Sequence, residues 1–164
     1  MLMEPSEAVV TGLRLWLGII MLAHGVNHGR SLEGTASWFA KKGFRQPALN
    51  ARASSAGELA IGTALVIGLA TPLAAAGVIT IMTVAFWAIH RRAGFFVFNR
   101  PDEGWEYVAT VVVASLVLAT LGPGPWSVDA ALGWDRFDGW TGFGIASLGF
   151  VAAAGQLAAM WRRP

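Results

Sequence analysis

The sequence predicts an all-α fold, a polytopic membrane bundle of five apolar helices. Three observations carry this reading. First, of the 164 residues 55% are hydrophobic and 13% are charged, and the mean hydropathy is +0.54. A soluble domain carries about a quarter charged residues, so much of this surface must face something other than water. Second, five apolar stretches cover residues 8–27, 53–70, 72–90, 105–121 and 141–161. A hydrocarbon core about 30 Å thick needs about 20 helical residues to cross it, and each stretch approaches that length. Third, the charges sort by side. Arg30, Lys41, Lys42, Arg45 and Arg52 follow the first stretch, Arg91, Arg92 and Arg100 follow the third, and Arg162 and Arg163 follow the fifth. Five crossings put these ten of the twelve basic residues on one side. The other side receives Glu4, Glu7, Asp129, Asp135 and Asp138, with Arg136 the basic residue among them. The positive-inside rule then places the N-terminus outside and the C-terminus in the cytoplasm. Four crossings would strand Arg162 and Arg163 among the acids.

The first stretch follows Glu4 and Glu7 rather than a basic segment and lacks a clear small-residue cleavage site, so a cleaved signal peptide is not expected. Residues 37–44 mix Trp38, Phe39 and Phe44 with Lys41 and Lys42, which fits a short helix on the cytoplasmic surface or a solvated loop. On the second stretch Ala56, Ala60, Ala64 and Gly68 recur every four residues. Such a stripe lets another helix approach closely in lipid. Thr71-Pro72 joins the second and third stretches, with Thr71 suited to cap the third and Pro72 to open it. The fifth stretch carries a similar face, Gly142, Ala146, Gly149 and Ala153. Trp126, Trp134 and Trp140 fall on the outer side and Trp38, Trp105 and Trp161 near the inner side, as interfacial belts require.

The chain has no cysteine, which removes disulfides, thiolate metal sites and thiol redox chemistry. The pI of about 9.7 comes with a net charge of only +2. Its basic residues flank apolar segments, so they speak of topology and not of nucleic acid. No nucleotide-binding loop, nucleophile motif or zincin helix is present.

Ionisable residues within apolar helices are costly and usually face the protein interior or a wet cavity. Arg14 lies about two turns inside the first helix, where it snorkels outward, pairs with an acid such as Asp129, or meets a ligand. Glu106 opens the fourth helix, where the helix dipole favours an acid. Glu58 is placed one turn into the second helix, beyond easy escape to water. His24 and His28, four residues apart, share a face if the first helix continues that far. His90 ends the third helix. His24, His28, His90, Glu58 and Glu106 thus gather at one leaflet boundary. Imidazole binds protons, metals or quinone carbonyls, and carboxylates complete a metal shell or hold the imidazole tautomer. A quinone-head or proton-handling site, a transition-metal or haem site, and hydrogen bonding without chemistry all remain open. Of the two site readings, metal or haem is the less favoured, and no metal ligand is assigned.

Several local patterns occur in order: Arg14-Leu15 with Leu17-Gly18, His24-Gly25, Trp38-Phe39, Gly43-Phe44 with Pro47, and Gly57-Glu58-Leu59. They continue with Gly68-Leu69-Ala70-Thr71-Pro72-Leu73, Gly94-Phe95-Phe96, Glu106-Tyr107 and the run from Leu121-Gly122-Pro123 to Asp129-Ala130. Over about residues 8–135 this set resembles the DoxX family of small bacterial membrane proteins. The resemblance implies a four-helix membrane unit and kinship with the DoxD-type subunit of thiosulfate:quinone oxidoreductase. It also implies, for some relatives, soluble partners in oxidative-stress defence. The chain then divides into a DoxX-like core at 1–135 and an additional C-terminal transmembrane helix with a basic cytoplasmic end at 136–164, in a bacterial cytoplasmic membrane.

The expected function is a membrane component of a redox system, linked to the quinone pool and working with a partner oxidoreductase. His24, Glu58 and Glu106 would form the proton or quinone site, lining one cavity near the inner leaflet, with Glu58 facing the interior near His24. Arg14, His28, His90 and Trp105 would serve binding, Arg14 by anchoring an anionic group or bracing the helices. The other readings are a non-catalytic scaffold tethering soluble redox enzymes, and a small-molecule or lipid carrier. Self-association through the small-residue stripes is left open.

Overall fold

A computed structural model describes residues 4–163. The long helices are α1 (Pro5–Arg30), α3 (Pro47–Ile67), α4 (Thr71–Ala88), α5 (Glu106–Leu121) and α7 (Gly139–Met160), with a shorter α2 (Leu32–Lys41) and a single turn α6 (Val128–Ala131). Two 3-10 turns, His90–Arg92 and Asp135–Phe137, complete the order. The fold is an all-helical membrane bundle. α1, α4 and α7 are long and apolar enough to cross a bilayer, and α5 is a shorter apolar helix. The basic clusters gather at one end of the bundle, called the basic end below. There Lys42 pairs with Asp102 at 2.7 Å, and the Trp161 indole donates to the Lys42 carbonyl at 2.8 Å. α7 thus ends beside the α2–α3 connection.

α4 is the central helix. It packs against α3, α5 and α7, while α1 lies along α3. Leu17, Met21, Leu65, Val78, Met82, Val108, Val111 and Leu118 form the main core where α1, α3, α4 and α5 meet. The α7 stripe behaves as expected: Gly142, Ala146, Gly149 and Ala153 are its buried residues. A Cβ at Gly149 would lie 2.4 Å from the Ala76 carbonyl oxygen, so the two backbones touch directly. Thr80 reinforces the seam by donating to the Gly149 carbonyl at 3.1 Å.

The stripe on α3 turns out differently. Ala56 and Ala60 are exposed, Ala64 is half-buried, and Gly68 is buried. Close approach to α1 runs instead through Gly62, facing Gly18, with Gly25 one step along. A Cβ at Gly62 would come within 2.8 Å of the Gly18 carbonyl and the Leu22 amide nitrogen, and one at Gly25 within 2.9 Å of the Leu59 nitrogen. Small residues occupy two faces of α3, and the glycines, which allow backbones to meet, decide which face is buried.

α3 also starts earlier than hydropathy indicated. Pro47 opens it, and the Asn50 amide donates to the Arg45 and Gln46 carbonyls at 2.7 and 3.2 Å. Polar residues such as Asn50 and Arg52 are helical here although they fall outside any apolar window. Glu58 therefore lies about three turns, not one, from the start of its helix. At the 37–44 segment a helix does form, from Leu32 to Lys41, with Ser31 as N-cap. Phe39 and Phe44 bury against Ala51, Val84 and Ala153, while Trp38 remains exposed.

The α3–α4 turn corrects a further expectation. Thr71 is the first residue of α4 and not its cap. The cap comes from a distant segment: the Asp129 carboxylate accepts from the Ala70 and Thr71 amides at 2.6 and 2.8 Å. A charged acceptor at a helix N-terminus is stronger than a hydroxyl. It holds Ala70 in a left-handed conformation, φ 48°, that alanine otherwise avoids.

Candidate functional site

Glu58 is 2% exposed in the middle of α3. One carboxylate oxygen lies 2.8 Å from Nδ1 of His28, and the other accepts from the Ser54 hydroxyl at 2.9 Å. Ser54 precedes Glu58 by four residues, so both share a face of α3. α1 reaches Arg30, which carries His28 onto the same seam. The seam is tight because Gly25 and Gly29 let α3 approach: a Cβ at Gly25 would sit 3.1 Å from Cβ of Glu58. Ser55 adds a hydrogen bond to the Gly25 carbonyl at 2.8 Å.

This cluster borders an open-sided cavity of about 520 Å³ walled mainly by α2, α3, α4 and α7 toward the basic end. Phe39, Phe44, Ile61, Ile81 and Val84 make its wall apolar, and His28, Ser54 and Glu58 supply convergent polar groups. Gly57 and Gly77 contribute no side chain, which leaves the space open. His28 also lines a smaller cleft of about 330 Å³ at the α1–α2 corner, with Ser31, Thr35 and Trp38. The imidazole therefore stands between the two spaces.

His24 is turned away from this cavity. It and His28 share a helix, but α1 advances about 100° per residue, so four residues separate them by about 40°. His24 faces α5, where its ring runs nearly parallel to Tyr107, centroids 6.4 Å apart. The His24 and His28 rings are also 6.4 Å apart, edge to face. The result is a row from Tyr107 on α5 through His24 and His28 on α1 to Glu58 and Ser54 on α3.

The sequence placed His24, Glu58 and Glu106 around one opening. Glu58 lines the cavity; His24 and Glu106 do not. Glu58 is interior, but its direct partner is His28, one turn beyond His24. Glu106 stands in the first turn of α5 beside Tyr107. His90 bonds the Glu103 carbonyl at 2.7 Å and so fastens the 93–105 connection to the end of α4. Trp105 packs edge-on against Phe86 and Phe95, centroids 6.0 and 4.7 Å apart. Two members of the row were missed, and both had a signal. Ser54 lies one turn before Glu58, and Tyr107 is the only tyrosine in the chain. Among the described residues no three His, Asp or Glu side chains converge as a metal ion would require.

Arg14 is 1% exposed at the opposite end. Its guanidinium donates to the Leu65 and Val66 carbonyls at 2.8 and 2.9 Å, and to the Trp126 carbonyl. These are carbonyls of the last turn of α3 and of the loop before α6, and that of Leu65 also accepts from the Gly68 amide at 3.2 Å. Gly68 is required beside it: φ is +70°, and a Cβ would meet Nη1 of Arg14 at 2.5 Å and Cβ of Ser127 at 2.4 Å. Arg14 thus braces the α3–α4 turn from one side while Asp129 caps it from the other.

Residues 9–91 match the DoxX family model. The matched region is about half of the chain and runs from α1 to the turn after α4, so it contains Arg14, the two histidines of α1, Ser54 and Glu58. No curated protein and no solved structure matches the chain.

Proposed function

The chain belongs to the DoxX family, and from that premise we propose that it is a membrane component of a quinone-linked redox system, working with a partner oxidoreductase. The supporting observation is the buried Glu58 carboxylate, bonded to His28 and Ser54 at the wall of an apolar cavity of about 520 Å³. A quinone ring and tail seek hydrocarbon while its carbonyls need donors, and ligand sites generally combine an apolar wall with a few convergent polar groups. Reducing the two carbonyls to hydroxyls takes two electrons, from the partner's redox centre, and two protons. This chain's side chains handle the protons. The Glu58–His28 hydrogen bond holds one between a carboxylate and an imidazole, and Ser54 fixes the second carboxylate oxygen. His28, standing between cavity and cleft, is placed to pass a replacement proton inward, and positioned acid–base groups of this kind contribute about a hundredfold or more in rate. The cavity lies toward the basic end, which the positive-inside rule assigns to the cytoplasm. The proposed setting is a bacterial cytoplasmic membrane with the N-terminus outside.

Trp38 lines the cavity, so a soluble quinone analogue bound there should quench its fluorescence in purified protein. Glu58→Gln and His28→Ala should weaken that binding, and in membranes holding the partner should lower quinone turnover about a hundredfold. Full binding and turnover in both variants would turn the assignment to a second reading, a non-catalytic scaffold tethering soluble redox enzymes. One observation favours that reading: His24 and Glu106 do not line the cavity.

A further inference from the structure

We infer that the cleft where the ends of α4 and α7 meet is a binding site for one anionic phospholipid, its phosphate held by Arg162 and Arg163 and an acyl chain laid between α4, α5 and α7. The cleft measures about 360 Å³ and is lined by Trp87, Leu157, Ala158, Trp161, Arg162 and Arg163. Two guanidiniums therefore share one space with an apolar floor. A third cation stands at its rim: Arg91 lies over the Trp87 ring, 4.7 Å from its centroid, and donates from Nε to the Trp87 carbonyl at 3.0 Å.

Two acids of this end are engaged elsewhere. Asp102 pairs with Lys42 at 2.7 Å and Glu103 with Arg100 at 3.9 Å. Among the described residues Arg91, Arg162 and Arg163 have no acidic partner. The C-terminal segment is held in place, which keeps its arginines at the cleft. The Arg45 backbone amide donates to the Met160 carbonyl at 2.7 Å, and the Arg162 backbone amide donates to the Gly43 carbonyl at 2.9 Å. The Trp161 indole is fixed on the Lys42 carbonyl at 2.8 Å.

A second groove starts at the other side of Trp87. It measures about 310 Å³ and its walls include Phe86, Val112, Val113 and Phe150. Trp87 is common to both spaces, so they adjoin, one charged at the bundle end and the other apolar along the helices. From Met160, where α7 ends, back to Phe150 is ten residues, about 15 Å of helix, which is the depth of one leaflet of a core about 30 Å thick. A basic pocket between helix ends suits a lipid phosphate, bidentate to arginine, and the groove suits a chain.

Native mass spectrometry of the detergent-purified full chain tests this with three probes. They are phosphatidylglycerol, phosphatidylcholine with the same chains, and glycerol phosphate without chains. One phosphatidylglycerol should stay bound under conditions that remove the other two. The double variant Arg162→Gln/Arg163→Gln should weaken its retention about 30-fold. Val113→Trp, at an exposed groove position, should also weaken it by filling the groove. Arg52→Gln, exposed at the same end but away from the cleft, should leave it unchanged. Equal retention of phosphatidylcholine overturns the proposal, and so does glycerol phosphate binding as well as the lipid, which would mark a simple anion site. A loss with Arg52→Gln as large as with the double variant overturns it too, since only the general charge of that end would then be at work.

Discussion

Of the three ionisable side chains buried among the described residues, Arg14, Glu58 and Asp129, Arg14 and Glu58 sit toward opposite ends of the bundle, and their partners differ in kind. Arg14 is bonded to backbone carbonyls of α3 and of the loop before α6. It lines no part of the large cavity. Glu58 is bonded to two side chains, His28 and Ser54, at a cavity wall. Backbone partners cannot gain or lose a proton, so the Arg14 cluster is a brace. The His28 imidazole can, and a cavity adjoins it, so the Glu58 cluster is the one suited to the proposed chemistry. A charge within a membrane helix is a pointer to function only after its partners are known.

That contrast predicts unequal effects of substitution. Arg14→Met should be the most damaging. It removes three charge-assisted hydrogen bonds and leaves Asp129 without a nearby cation, a loss of about 3–5 kcal/mol. Thermal unfolding in detergent measures it, and a melting point near that of the unaltered protein would remove the bracing role. Gly62→Leu should follow at about 1–3 kcal/mol, because its Cβ would press on the Gly18 carbonyl. The same assay reads it, with interhelical distances between α1 and α3 from paired spin labels as an independent check.

Glu58→Gln should cost about 1 kcal/mol of stability, since the amide can still hydrogen-bond His28 and Ser54, while lowering quinone turnover about a hundredfold. Measuring unfolding and quinone analogue binding on the same preparation separates the two. A large stability loss with unchanged binding would make Glu58 a second brace. Ala60→Leu should be smallest, within about 0.5 kcal/mol, as for a surface position. A destabilisation as large as that of Gly62→Leu would show that Ala60 faces a helix of another copy.

Much of the fold was legible. Apolar length gave α1, α4 and α7 as helices able to cross a bilayer and α5 as a shorter apolar one, and the small stripe of α7 is indeed buried. The α3 stripe misled because α3 carries small residues on two faces, and only contact with Gly18 and Gly25 selects one. The cap on α4 was illegible because its acceptor, Asp129, lies 58 and 59 residues away in sequence. Within the candidate site, the residue types were readable at Glu58 and the histidines, but their pairing was not. A rotation of about 40° between His24 and His28 decides which imidazole reaches Glu58.

By itself the sequence determined the solvent and the apolar helices, because hydropathy acts segment by segment along the chain. The tertiary structure decided which face of each helix is inside, that Arg14 spends its donors on carbonyls, and that Glu58 meets His28 beside a cavity. The physical reason is that a helix apolar on all sides carries no amphipathic signal of its own rotation. In lipid, that rotation is set by where glycines let backbones touch and where buried polar groups find one another.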